Sequence, residues 1–361
     1  MISMFIIIWM TAIFGFWANE QRIKYSYKKL VIITLISAIV RSVLEIFLVI
    51  HSNDKTTAKI IGWAIADIVV FFWMFFSQLY KGKAYFSRKF WNYALAFNIP
   101  LVPHYLSQVV LNSSDRIMIQ RIIGDDEAGI YNLAYSLSLI MILFNTAFTQ
   151  TINPWMYQKI KEKRGRDIAP IAYVTLILIG FVNVILIILA PEALYVFAPK
   201  TYHGAIWVIP PISMSVFFMY SYDLYAKYAF YYEKTRMIML ASVLGAALNI
   251  LLNYIFIRRF GYIAAGYTTL LCYIVYACAH YLFMRRVCTQ YCESEYPYDT
   301  RIILVISLSF IFIGVLCMST YNFPIIRYGM VGIVIVTSII QRRLIIRTLK
   351  KLLELKTEAL M

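Results

Sequence analysis

Ionisable side chains are scarce inside the long apolar stretches of this chain. Each one is therefore a candidate for chemistry, because an uncompensated charge in a hydrocarbon environment is costly. Asp67 stands alone near the middle of one such stretch. A carboxylate in that setting is either protonated or paired with a cation from elsewhere, which makes it a candidate for ion coupling. Arg41 and Glu45 are four residues apart and are expected to pair on one helical face. Such a pair either neutralises itself or faces a cavity, with Arg41 as a cation for an anionic substrate and Glu45 as a second coupling carboxylate.

A second polar run holds Asn98, Pro100, Pro103, His104 and Gln108 and leads into Asp115 and Arg116. Two prolines three apart break the helical hydrogen-bond ladder, and the freed carbonyls are tolerated only against protein or water. His104 is expected as a packed, hydrogen-bonded imidazole, with a proton-carrying role as the alternative. Adjacent residues on a helix point about 100° apart. Asp115 and Arg116 are accordingly expected to act as a conformational latch or an inter-bundle salt bridge rather than to touch substrate. Asn145, Gln150, Asn249 and Asn253 add uncharged hydrogen-bonding groups. Asn249 and Asn253 share a helical face, which suits either helix–helix adhesion or a sugar-contacting wall. Asp223 and Lys227 form another i,i+4 pair, and further kinks are expected at Asn153-Pro154 and Pro210-Pro211.

Catalytic patterns are missing from the sequence. There is no H-E-x-x-H, Walker A loop or G-x-S-x-G, and no nucleophile with a base at helical spacing. Cys288 and Cys292 have no companion His or Cys pair at metal-binding spacing. The chain is therefore expected to be no enzyme and to need no cofactor or metal. Its expected energy source is an H+ or Na+ gradient or the membrane potential.

The elements that must position these groups follow from composition. The 361 residues are 61% hydrophobic and only 14% charged, with a mean hydropathy of +0.71. Soluble domains carry about a quarter charged residues, so this chain needs a solvent other than water. Apolar runs near 2–17, 30–50, 60–79, 92–111, 128–151, 168–190, 206–226, 237–257, 262–284, 301–319 and 323–340 predict eleven transmembrane helices in an all-α integral membrane protein. The net charge of +16 does not indicate nucleic acid, because Lys and Arg lie in short loops between these runs. Most of them fall on alternate loops, around Arg22–Lys29, Lys81–Lys89, Lys159–Arg166, Lys227–Arg236 and Arg285–Arg286, and in the tail from Arg342. That side is the cytoplasm by the positive-inside rule, which puts the C-terminus inside and Met1 outside. The parity of eleven spans suggests that an odd number is missing upstream. Leu344 to Leu355 alternates apolar and cationic residues and is expected to lie as an amphipathic helix on the inner leaflet.

The stretch from Asn98 to Ile140, NIPLVPHYLSQVVLNSSDRIMIQRIIGDDEAGIYNLAYSLSLI, carries P-x-x-P-H-x-L-S, D-R-I-M-I and A-G-I-Y-N-x-A-Y-S-L-S in one order. It resembles the polysaccharide transporters, the O-antigen flippase branch of the multidrug/oligosaccharidyl-lipid/polysaccharide superfamily. Trp155-Met156-Tyr157 before a basic loop, and Gly261 with Ala264-Ala265-Gly266, extend the resemblance. The resemblance implies two six-helix bundles followed by two further spans. Residues 1–90 would then be an incomplete three-span first bundle, 91–286 a complete second bundle, 287–340 the extra pair and 341–361 a basic tail. Three spans, roughly 100–130 residues, would be missing from the first bundle.

The resemblance also implies a substrate and a route. A polyprenyl-pyrophosphate-linked oligosaccharide would be flipped from the inner to the outer leaflet of a bacterial plasma membrane by alternating access. Arg41, Asn98, His104, Asn145, Gln150, Asn249 and Asn253 would line the substrate cavity, and Asp67 and Glu45 would serve ion coupling. Membrane lipid and polysaccharide-assembly proteins are the expected partners. The competing functions are a glycosyl polymerase or ligase of the same pathway, a drug/cation antiporter of the same superfamily, and an inactive fragment. A polymerase or ligase is expected to carry a large outer loop, and none here is long enough.

Overall fold

The computed structural model describes residues 1–83, 86–292 and 295–340 of the chain. The expected amphipathic tail from Leu344 to Leu355 lies outside the described residues. The chain divides into two compact units, Met1–Ala94 and Leu95–Met361.

The first unit is built on α1 (Ile2–Ile23), α2 (Tyr27–His51) and α3 (Lys55–Gly82). The Asp54 carboxylate caps α3, accepting from the backbone N–H of Thr56 and Thr57 at 3.1 Å each. Such a bond satisfies amides that the first turn leaves without partners. Ala58, Gly62 and Ala66 recur every four residues along α3 and are all buried. This stripe of small residues lets the α2 backbone approach closely. A Cβ on Gly62 would stand 2.9 Å from Glu45 Cα. On another side of α3, Val70, Phe71 and Met74 pack with Met10, Ile13 and Trp17 of α1.

The remaining helices are α4 (Arg88–Asn98), α5 (Val102–Ile122), α6 (Asp125–Lys161), α7 (Ile168–Ile188), α8 (Ala190–Phe197), α9 (Ile209–Tyr231), α10 (Thr235–Phe260), α11 (Ile263–Tyr291), α12 (Thr300–Ser319) and α13 (Pro324–Ile340). Pro100 and Pro103 have the expected effect, with a 3-10 turn at Ile99–Leu101 separating α4 from α5. The 3-10 segment Lys200–Trp207 enters α9 at a 48° bend beside Pro210-Pro211. At Pro154, by contrast, α6 continues unbroken.

Buried nearly all round, α9 forms the centre of the second unit and packs against α6, α7 and α11. A helix apolar on every face belongs in a core. Gly266 of α11 would bring a Cβ within 3.0 Å of Pro211 of α9. α12 packs on α7 and α9. Arg327 of α13 pairs with Glu192 of α8, which also accepts from Tyr328 at 2.7 Å.

Among the described residues, nine helices are long and apolar enough to cross a membrane, ten if the bent pair at α9 counts as one span. The eleventh expected span coincides with α13, whose 17 residues leave it just short of those nine. The chain is a multi-pass, all-helical membrane protein.

Candidate functional site

Three seams meet in the second unit. On α5, His104, Ser107, Leu111, Asp115 and Ile119 are buried at intervals of three or four, so they form one face. Ser242, Ala246, Asn249, Asn253 and Ile257 do the same on α10, as do Ala265, Thr269, Cys272, Tyr276 and His280 on α11. α10 packs against both α5 and α11, which brings the polar members of the three faces together.

Asp115 is 1% exposed. Its carboxylate accepts from Asn253 Nδ2 at 2.6 Å, Thr269 Oγ1 at 2.6 Å and Tyr131 OH of α6 at 2.7 Å. Asn249 Oδ1 accepts from Ser114 at 2.7 Å and from Asn253 at 3.2 Å, and Thr268 donates to Asn253 Oδ1. Asn112, one turn earlier on α5, accepts from Tyr273 at 3.1 Å and Tyr135 at 3.3 Å. The carboxylate is thus held where α5, α6, α10 and α11 converge. All its hydrogen-bond partners among the described residues are neutral.

That is a demanding position for a negative charge, because hydrogen bonds alone offset only part of the desolvation cost. Two events relieve it: a proton on the carboxyl, or a small hard cation among the oxygens of Asp115, Asn249, Asn253, Thr268 and Thr269. These oxygens are the donors such a cation would take.

Asp115 and Arg116 take different partners, and among the described residues neither forms a salt bridge. Arg116 points away, as adjacent helical positions do. Its guanidinium donates to the Asn112 carbonyl at 2.6 Å and to Asn132 Oδ1 at 3.2 Å, and lies 4.7 Å from the centre of the Tyr135 ring. It lines an open groove of about 480 Å³ with Ser113, Gln120, Asp125 and Asn132.

Three turns before Asp115, a second polar cluster occupies the same seam. His104 Nδ1 meets Ser242 Oγ at 2.5 Å, Ser242 Oγ meets Tyr276 OH at 2.5 Å, and Gln108 donates to Tyr276 at 2.9 Å. His104 is therefore a packed, hydrogen-bonded imidazole.

The other sequence-nominated residues are dispersed. Asn145 is buried and donates to the Val216 carbonyl of α9 at 2.8 Å, a helix-to-helix tie. Gln150 is half-buried farther along α6, and Asn98 is exposed at the end of α4. Lys227 and Asp223 pair as expected, at 2.6 Å, and Thr149 also donates to Asp223 at 2.9 Å.

The first unit corrects one expectation and decides another: Arg41 does not pair with Glu45, and Asp67 takes the paired alternative. Arg41 Nη2 reaches across to Asp67 Oδ1 at 2.7 Å, Trp63 Nε1 donates to Asp67 Oδ2 at 2.9 Å, and the guanidinium lies 4.5 Å from the centre of the Trp63 ring. Burial explains the choice. Asp67 is 1% exposed and must find a partner, whereas Glu45 is half-buried. A cation placed N-terminal to its acid is also the weaker order for an i,i+4 pair.

Sequence reasoning missed Tyr131, Thr268 and Thr269 around Asp115, Ser242 and Tyr276 around His104, and Trp63 beside Asp67. A partial signal existed, since Ser242, Asn249 and Asn253 fall on one helical stripe and Tyr131 lies in the quoted motif.

Comparison with known proteins agrees with this architecture. Residues 1–160 match the family described as polysaccharide biosynthesis protein, and residues 100–255 match the MatE family. Lsg locus putative protein 1 of Haemophilus influenzae is 25% identical over 209 residues, 55% of this chain and 52% of that protein. An uncharacterized membrane protein of the same organism is 22% identical over 238 residues, 63% of this chain and 57% of its own length. The chain thus spans little more than half the length of these curated relatives. The solved lipid II flippase MurJ, in an inward closed conformation, superposes with a TM-score of 0.54 at 19% identity, covering 86% of this chain and 67% of that one. An outward-facing multidrug resistance MATE transporter gives 0.54 at 14% identity, covering 72% and 62%. At these identities the structural likeness concerns the fold. The named neighbours are a flippase and a transporter rather than enzymes, and the resemblance to the superfamily drawn from Asn98–Ile140 holds.

Proposed function

We propose that this chain, a relative of the polysaccharide and multidrug transporters, moves a polyprenyl-pyrophosphate-linked oligosaccharide from the cytoplasmic to the outer leaflet of a bacterial inner membrane, in surface polysaccharide or O-antigen synthesis. The observation that carries the mechanism is Asp115, a buried carboxylate with neutral partners where four helices converge. Binding and release of H+ or Na+ there would bias the second unit between two packings, which is what alternating access requires.

We assign the coupling role to Asp115 rather than to Asp67. Asp67 already has a guanidinium at 2.7 Å as its counter-charge, so less is left for a transported ion to neutralise. Arg41 is one third exposed beside that contact and remains the candidate for the pyrophosphate. The polar groove lined by Arg116, Gln120 and Asn132 supplies hydrogen-bonding groups suited to sugar hydroxyls. Outward movement of an anion is favoured by about 2.3 kcal/mol per charge per 100 mV of inside-negative potential. The N-out, C-in orientation from the loop charges belongs to the same proposal, as do polysaccharide-assembly partners.

The test is reconstitution in proteoliposomes with a fluorescent saccharide on polyprenyl pyrophosphate, scored by access of a membrane-impermeant glycosidase. Ion-gradient-dependent translocation is expected, with loss of that dependence in Asp115→Asn. Efflux of cationic dyes with no saccharide translocation would overturn the proposal. It would favour the drug-export alternative, which the MatE match over residues 100–255 supports.

A further inference from the structure

The helices α9, α11 and α12 leave between them a groove of about 370 Å³. Phe218 of α9 and Ile303 of α12 lie deep in it, while Leu282, Leu304 and Leu308 on its rim are 63%, 52% and 63% exposed. In a chain that spans a bilayer, such a rim meets lipid chains rather than water.

One end of the groove is polar. Arg285 lines it there, with its guanidinium 4.4 Å from the centre of the Tyr296 ring. Tyr281 and Thr300 close that end through a 2.6 Å hydroxyl–hydroxyl bond. Arg286 and Arg301 are exposed close by, near the end of α11 and in the first turn of α12. Among the described residues, the acids of this connection are engaged elsewhere. Asp299 caps α12 through the Arg301 N–H, and Glu295 pairs with Arg166 at 3.1 Å. Among the described residues, Arg285 and Arg301 pair with no carboxylate. An apolar channel ending at arginines that pair with no carboxylate among the described residues matches a molecule with a long hydrocarbon chain and an anionic head.

We propose that this groove binds an anionic phospholipid of the surrounding bilayer, one acyl chain lying between α11 and α12 and the phosphate meeting Arg285. Tyr296 holds the guanidinium by its ring face and leaves donors for phosphate oxygens. The occupant is a bilayer lipid because the groove needs only one chain and one phosphate, and because a phospholipid carries its phosphate at the interfacial depth where α11 ends. The site requires only that the chain span a membrane. It therefore stands or falls independently of the transported substrate.

Native mass spectrometry of the full chain in detergent tests the site, with phosphatidylglycerol and phosphatidylethanolamine of matched acyl chains as probes. The first phosphatidylglycerol adduct is expected to bind roughly fivefold more tightly, the worth of one arginine near an anionic headgroup. Arg285→Gln should remove most of that preference while leaving weaker binding of both lipids. Ser307→Trp, which fills the groove, should remove the first adduct of both with Arg285 intact. Equal affinity of the native chain for the two lipids would overturn the proposal, as would an unchanged preference in Arg285→Gln. A first adduct that forms only with polyprenyl phosphate would also overturn it and reassign the groove to substrate. Elution volume and helical content of each variant are compared with the native chain, and if Ser307→Trp misfolds, Arg285→Gln decides alone.

Discussion

Asn253 of α10 donates to Asp115 of α5 at 2.6 Å, across 138 positions of sequence. The contact places an uncharged carboxamide where a buried carboxylate would ordinarily seek a cation. The coupling role proposed for Asp115 rests on this neutral surrounding and can be tested.

Asp115→Asn keeps the volume and most of the hydrogen-bonding capacity of the junction but removes the titratable group. Transport is expected to lose its dependence on the H+ or Na+ gradient, with a coupling loss of roughly 5- to 150-fold. Gradient-driven uptake in proteoliposomes measures it. A variant that still responds fully to the gradient would place coupling at another residue.

Arg41 and Asp67 are expected to be energetically coupled, and Arg41 and Glu45 are not. A double-mutant cycle with Arg41→Gln and Asp67→Asn should return an interaction energy of about 0.5–3 kcal/mol, toward the lower part because Arg41 is one third exposed. The matching cycle with Glu45→Gln should return close to zero. Unfolding in mixed micelles supplies the energies, and the reverse ranking would restore the pair expected from spacing alone.

Gly62 should tolerate no larger residue. Gly62→Ala puts a Cβ at 2.9 Å from the Glu45 backbone, where a rigid helix and not a flexible side chain must yield. A destabilisation of about 1–3 kcal/mol is expected, rising for Gly62→Val. Thermal unfolding monitored by circular dichroism reads it. Equal stability of Gly62→Ala and the native chain would mean that α2 and α3 lie farther apart.

The first turn of α3 should be pH-sensitive. The Thr57 hydroxyl, the Thr57 amide and then the Thr56 amide hold Asp54 below its ordinary value of 3.8. A carboxyl lowered in the folded state stabilises above the unfolded value and loses that contribution as pH falls through the folded one. Protection of the Thr56 and Thr57 amides against hydrogen exchange should therefore persist at neutral pH and drop only in acid below about 3.8. In Asp54→Asn, which still caps, protection should show no such step; a step of the same size there would exclude Asp54 as its source.

Much of the fold is legible along the chain because a bilayer imposes one simple demand. Backbone groups in hydrocarbon must be satisfied within their own helix, so each span announces itself as an apolar run of sufficient length. Pro100 and Pro103 likewise mark the break before α5 through their missing N–H groups. The Asn249–Asn253 face was legible for a similar reason, since i,i+4 neighbours on one helix meet whatever surrounds them. The i,i+4 rule failed at Arg41 and Glu45. It describes what two residues can reach on one helix, and says nothing of a buried carboxylate offered by the next.

The sequence by itself determined the solvent, the position of the spans and the face of each helix on which its polar groups stand. All three follow from chain-local physics: hydrocarbon transfer, backbone hydrogen bonding and the 3.6-residue turn. Only the tertiary structure decided that Asp67 takes Arg41, that Asp115 takes Tyr131, Asn253 and Thr269, and that His104 takes Ser242. Those pairings depend on the axial register between helices. Close approaches such as Gly62 on Glu45 and Gly266 on Pro211 set that register, and no single helix encodes it.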